Sequence, residues 1–227
     1  MNELASSPGA RSTAREDVLG RIRQALGPDR TAPAEVVRDY RATDGRPAGD
    51  AALLDLLVDR VEDYRASVLR CSPAEVGATV RAALDQALPG GWAPGDVVVA
   101  PELDPAWRPE GCDVDDDRPA VQLADRAASV TAVAVAIAET GTLVLDGSPA
   151  CGRRALSLLP DCLVCVVTAD QVVGSVPEGL ARLDPLRPLT MVSGPSATSD
   201  IELERVEGVH GPRTLMVVLV QPPRVGG

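Results

Sequence analysis

The chain has 227 residues, 22 basic and 33 acidic side chains, and a formal net charge of −11. That length suffices for one α/β domain with a substantial core, while the acidic balance argues against nucleic acid or an anionic membrane surface as partner. With no Phe, two Tyr and two Trp, the core has to be built from Val, Leu and Ala, and twenty Pro and twenty Gly imply many abrupt element boundaries. No basic region followed by an apolar one opens the sequence. No run reaches the roughly 20 apolar residues of a spanning helix, so no membrane insertion is expected and the expected location is cytoplasmic.

Residues 1–13 are small and polar. A helix is predicted over Ala14–Leu26, with Val18, Ile22, Ala25 and Leu26 on one face and Gly27-Pro28 as its stop. Residues 28–49 are rich in Pro, Arg and Asp and read as a linker. Residues 1–49 are therefore a tail, helix and linker, forming an arm that docks on the body or on a partner. The body is an α/β domain over 50–221, and 222–227 is a tail. Leu53, Leu54, Leu57, Val61 and Tyr64 form its first helical stripe, and 66–70 a short strand. Ser72-Pro73-Ala74-Glu75 has the cap, the proline and the closing glutamate of a helix start. That helix runs to about Leu88 and stops at Pro89-Gly90-Gly91. Residues 97–100 are a buried strand. Residues 101–119 read as a long loop holding Trp107 and the acidic run Asp113–Asp117, a solvated stretch with a divalent metal as the minor alternative.

A short helix is expected over 120–127. Residues 133–138 and 142–145 form a hairpin about Glu139-Thr140-Gly141, an antiparallel insert in an otherwise parallel sheet. Helices follow at 152–159 and 177–183, strands at 163–168, 189–192 and 215–220, and a helical turn at 198–204. Short Val-rich strands alternating with helices predict an α/β fold, three-layer α/β/α, with a mainly parallel sheet covered on both faces.

The five cysteines, Cys71, Cys112, Cys151, Cys162 and Cys165, are odd in number and lack the spacing of a disulfide framework. Cys162-Leu-Val-Cys165 spells CxxC, but residues three apart on a strand point to opposite faces, so buried thiols are expected rather than a metal or redox pair. One histidine with scattered carboxylates also lacks metal-ligand spacing. No GxGxxG, GxxxxGK[ST] or GxSxG occurs, which leaves nicotinamide, flavin and ATP use by the standard loops unsupported.

Candidate chemistry concentrates in two polar, glycine-bearing stretches at strand ends, where open α/β sheets hold their ligands. In the first, Glu139 follows an apolar run. Desolvation there would raise its pKa and suit it to acid–base work. Thr140 and Thr142 offer hydroxyls for a ligand or for the turn itself, and Gly141 supplies an unusual backbone angle. In the second, Ser193, Gly194, Ser196 and Thr198 present hydroxyls and amides, either to an anion or as helix caps. Asp200 is expected to face the crevice. The only histidine, His210, lies beside Gly211 on a loop and is suited to proton transfer near neutral pH. Arg153 and Arg154 are candidates for recognising a substrate anion. The two stretches are expected to meet across one pocket that takes a small carboxylate or other anionic ligand.

Ala138-Glu-Thr-Gly-Thr142, Gly152-Arg-Arg-Ala-Leu-Ser-Leu-Leu-Pro160, Ser193-Gly-Pro-Ser-Ala-Thr-Ser-Asp-Ile-Glu202 and Gly208-Val-His-Gly-Pro212, in that order, resemble the LutC/YkgG family, the lactate-utilisation or LUD domain. The resemblance covers about ninety residues and extends more loosely back to residue 50. It implies a fold similar to the NagB/RpiA/CoA-transferase group. It also implies a role beside LutA-like and LutB-like iron–sulfur proteins in oxidising L-lactate to pyruvate. The clusters are expected in those partners and no cofactor in this chain, whose own part, catalytic or not, the resemblance leaves undefined. Two other readings stand beside it: a CoA-transferase or sugar-phosphate enzyme using Glu139, and a module that binds or senses a small carboxylate.

Overall fold

The computed structural model describes residues 13–27, 36–198, 206–207 and 210–222. The chain divides into two units, 1–40 and 41–227. In the first, helix α1 (Ala14–Leu26) starts at Thr13, whose backbone N–H and hydroxyl both donate to Glu16 Oε2. Its Val18, Ile22 and Leu26 are exposed.

The second unit contains α2 (Ala51–Asp63), β1 (Ser67–Cys71), α3 (Val76–Ala87), β2 (Val97–Val99), β3 (Asp113–Val114), α4 (Ala120–Ala124), β4 (Ala128–Ala132), β5 (Val135–Ile137), β6 (Thr142–Leu145), α5 (Arg154–Leu158) and β7 (Cys162–Thr168). It continues with β8 (Val172–Val173), α6 (Val176–Ala181), β9 (Thr190–Val192), β10 (Ala197–Thr198), β11 (Val206–Glu207) and β12 (Thr214–Val220). The unit starts nine residues before the expected boundary at Asp50. Residues 41–49 are tied to it by Arg41 on Glu139, Thr43 on Glu178 and the Gly49 amide on the Val172 carbonyl.

Six strands form a wholly parallel sheet in the order β1-β12-β7-β4-β2-β3. Strands β7 and β12 are apolar at nearly every position because both faces are covered. Cys162, Val164, Val166, Met216, Val218 and Val220 face one core, shared with Val80 and Leu84 of α3, Leu123 of α4 and Leu156 of α5. Leu163, Cys165, Val167, Leu215, Val217 and Leu219 face the other, shared with Leu53, Leu54, Leu57 and Val61 of α2. The expected α/β class with a mainly parallel sheet and helices on both faces is what the structure has.

Five details differ from expectation. The hairpin β5–β6 is not inserted in the main sheet. It forms the centre of a separate four-stranded sheet, β8-β5-β6-β9, in the same layer as α2. Strand β4 was not anticipated, since Ser129 and Thr131 interrupt its apolar run. Both are nevertheless fully buried, with the Thr131 hydroxyl 3.8 Å from Cys165 Sγ. The long loop 101–119 is also ordered by specific bonds. Asp104 caps a 3-10 turn at Pro105–Trp107, and the Arg108 guanidinium donates to the carbonyls of Pro101 and Leu103. Within the acidic run, Asp113–Val114 is the edge strand β3 and Asp115 is buried. Finally, the expected helical turn fails at its first residue. Thr198 is extended in β10 and pairs antiparallel with Val206 of β11, while 199–205 lie outside the described residues. No helix among the described residues is long and apolar enough to cross a membrane.

Candidate functional site

The turn between β5 and β6 carries Glu139, and its place follows from the direction of the chain. Strand β4 ends at the carboxyl rim of the main sheet, so β5 runs back towards the amino rim and the turn sits there. Helix α2 also runs back, ending at Tyr64 three residues before β1 starts. The turn packs on this end of α2 through Gly141, at φ +61, where a Cβ would lie 2.8 Å from Arg60 Cβ. Gly194, at φ +94, approaches Tyr64 the same way, with a Cβ position 2.7 Å from Tyr64 Cβ. Both glycines thus permit a left-handed backbone and a close approach. The two polar stretches do meet here, but at the amino rim of the sheet instead of the carboxyl rim where ligand crevices were expected.

A chain of hydroxyls joins them. Thr140 Oγ1 lies 2.7 Å from Thr142 Oγ1, which lies 2.7 Å from Ser193 Oγ. Glu139 Oε1 accepts from the Val176 amide at 2.8 Å, at the first turn of α6, and Oε2 accepts from Arg41 Nη2 at 2.6 Å. The amide first and the guanidinium second hold this carboxyl below its ordinary pKa, against the opposing push of partial burial. The expected rise is therefore corrected: Glu139 is an ionised acceptor. Arg60, Asp63, Tyr64, Glu139 and Thr140 line an open hollow of about 480 Å³. Within it the Arg60 guanidinium lies 3.5 Å from the carboxylates of both Asp59 and Asp63, and Glu139 is the second acidic residue of the lining.

The remaining candidates fall elsewhere. His210 is exposed, and its backbone amide donates to Ser196 Oγ at 3.2 Å. The Ser196 amide donates to the Pro212 carbonyl, and Gly211 approaches Ser196 and Leu158. Ser196, His210 and Gly211 are thus one cluster before β12, and no hydrogen bond among the described residues joins His210 to Glu139. Asp200 lies outside the described residues, and for Thr198 only the backbone is described. Arg153 is no free anion receptor. It donates to both oxygens of buried Asp115, at 2.7 and 2.9 Å, and to the Arg118 carbonyl. Arg154 is exposed at the start of α5. Cys162 and Cys165 do face opposite cores, and burial pushes both thiols up to about 12.

Sequence reasoning missed Arg41, Arg60 and Tyr64 as neighbours of Glu139. Arg41 looked like linker, and Arg60 and Tyr64 looked like the solvent face and last turn of a helix. Glycines at 141 and 194 were the available signal, because each marks a close approach whose other side the sequence does not name.

The LUD domain description matches residues 114–220. A lactate utilization protein C from Deinococcus radiodurans is 46% identical over 181 residues, covering 77% of this chain and 82% of its own length. A protein of the same name from an Exiguobacterium strain is 28% identical over 229 residues, covering 92% of this chain and 96% of its own. A crystal structure of a DUF162 family protein from Deinococcus radiodurans superposes with a TM-score of 0.62 at 39% identity, over 75% of this chain and 98% of that one.

Proposed function

This chain belongs to the LUD-domain family, and we propose that it serves as the lactate utilization protein C-like subunit of an L-lactate-oxidising system. The observation that carries the proposal is the relative of that name, 46% identical over most of both chains. In this reading the partners are LutA-like and LutB-like iron–sulfur proteins, the clusters belong to them, and the system is cytoplasmic.

The hollow at the β5–β6 turn supports a ligand class. A 2-hydroxy acid has a carboxylate and a neighbouring hydroxyl. Arg60 would pair with the first through its planar fork, exchanging its long, exposed contacts with Asp59 and Asp63 at 3.5 Å for the ligand. Glu139, ionised and with lone pairs beyond the two its present partners use, would accept from the second. Thr140 and Tyr64 would contact the rest. His210, Asp200 and Ser196 have no part in this ligand's binding as proposed.

Deletion of the gene should abolish growth on L-lactate and spare growth on pyruvate. The wild-type gene should restore growth, whereas Arg60→Met and Glu139→Gln should not. Undiminished growth of the deletion strain on lactate would overturn the role. Full restoration by both variants would overturn the site while leaving the role intact. The CoA-transferase reading makes a different prediction, a covalent adduct on Glu139 after incubation with an acyl-CoA, which mass spectrometry would detect.

A further inference from the structure

A second cavity, of about 510 Å³, opens at the opposite rim of the main sheet and takes no part in the site above. It lies over the carboxyl end of β12, at Val220, between the ends of β1 and β7. Its origin is topological. After β1 the chain crosses by α3 on one face of the sheet. After β7 it leaves through Ala169–Gln171 to β8 on the other face. Neighbouring connections that diverge in this way leave a crevice over the strand between them, the usual ligand position in open α/β sheets.

The wall is built in advance. The 3-10 turn that carries Trp107 rests on α3 so closely that a Cβ on Gly77 would lie 2.5 Å from the Ala106 carbonyl oxygen. Arg108 holds the same loop through three carbonyl contacts. Val76 and Val220 supply an apolar floor, Trp107 an aromatic wall, and Asp104 and Asp170 two carboxylates, while no arginine is among the lining residues.

We propose that this crevice binds a small organic cation carrying a flat ring, with the ring against Trp107 and its ammonium group towards Asp104 and Asp170. An indole face attracts a cation through its quadrupole and stacks on a ring. The nearby guanidiniums of Arg182 and Arg70 donate to the Asp170 carbonyl and to Gln221, and neither carboxylate has an ion pair among the described residues, so both are left to favour a cation over an anion. Unlike the hollow at the β5–β6 turn, the crevice has no guanidinium in its lining to pair with a carboxylate, and its ligand is not the 2-hydroxy acid proposed there.

The sequence offers a clean reporter. It contains two tryptophans, so Trp92→Phe leaves Trp107 as the only indole. In that full-length variant, emission would be titrated with benzylammonium, benzyl alcohol and benzoate, three ring compounds of similar size that differ in charge. Benzylammonium should give a saturable change at a concentration at least tenfold below that needed for benzoate, with benzyl alcohol between them. In Trp92→Phe with Asp104→Asn and Asp170→Asn, near-isosteric changes that keep a cap for the turn, the preference for the cation should fall below twofold. Two results would overturn the proposal: benzoate binding as tightly as benzylammonium, or no saturable response in a variant whose thermal unfolding matches the parent. Neither result bears on growth on lactate, so this site and the site at Glu139 stand or fall separately.

Discussion

Replacing Asp115 by Asn tests whether Arg153 is a structural residue. The Asp115 side chain is 1% exposed and that of Arg153 29%. Two parallel N–H···O bonds join them, and the guanidinium also reaches the Arg118 carbonyl. Asn keeps the shape of Asp but removes the charge, leaving a partly buried guanidinium with only the exposed carboxylate of Asp117, 3.8 Å away. Removing one partner of a fully buried pair costs about 3–5 kcal/mol. Because water still reaches part of Arg153, the expected loss is nearer 2–3 kcal/mol. For a chain of this size each kcal/mol lowers Tm by about 2–4 °C, so Asp115→Asn should melt roughly 4–12 °C below the parent. Calorimetry would measure this, with urea unfolding as a check on the free energy. Replacing both partners, Asp115→Leu with Arg153→Met, should recover part of the loss, since no charge is then stranded. A Tm within about 2 °C of the parent for Asp115→Asn would refute the argument. So would an Arg153→Met protein that unfolds normally yet fails to support growth on lactate, because Arg153 would then be a ligand receptor after all.

Three further outcomes are expected. Gly141→Ala forces a left-handed backbone and a Cβ 2.8 Å from Arg60 Cβ. It should destabilise the chain by about 1–3 kcal/mol in urea unfolding, whereas Gly90→Ala, where a Cβ would meet open space, should cost far less. With a thiol reagent at neutral pH, Cys162 and Cys165 should react only after unfolding, because they are buried and their thiols are pushed up to about 12. Half-buried Cys112 should be modified first, as mass mapping would show. The carboxyl of Glu139 is held below its ordinary value by the Val176 amide and by Arg41. Its contribution to stability is therefore present above the unfolded-state pKa and lost as pH falls through the folded one. Unfolding curves of Glu139→Gln taken from pH 6 to pH 3 should show a shallower acid loss than the parent, and an identical slope would count against the two hydrogen bonds.

Periodicity located most of the elements. Helix α1 was predicted at its observed bounds, α3 follows the start and stop signals read for it, and α2 buries Leu53, Leu54, Leu57 and Val61 of the stripe read for it while Tyr64 is exposed, because a buried helical face repeats every three or four residues whatever it packs against. The strands β7 and β12 were legible as unbroken Val and Leu runs for the related reason that both their faces are covered. Strand β4 was missed because its second face is lined by Ser129 and Thr131, and a hydroxyl buried against a thiol looks, residue by residue, like the end of an apolar run.

The candidate site divides along the same line. Glu139 and the glycine two residues later could be picked out locally, since a tight turn after an apolar strand has a recognisable composition. The sign of the shift in the acidity of Glu139 could not be read in this way. It depends on an amide 37 positions later and a guanidinium 98 positions earlier, and the local argument from burial points in the opposite direction. Asp115 shows the same limit. One carboxylate in an acidic run has no local mark that separates it from its exposed neighbours, and only the packing of α5 against α4 and β4 brings Arg153 over it. Alternation and turn chemistry are properties of neighbouring residues and are therefore written along the chain. Charge pairing and rim geometry are distances between remote residues, and they come into being only when the sheet forms.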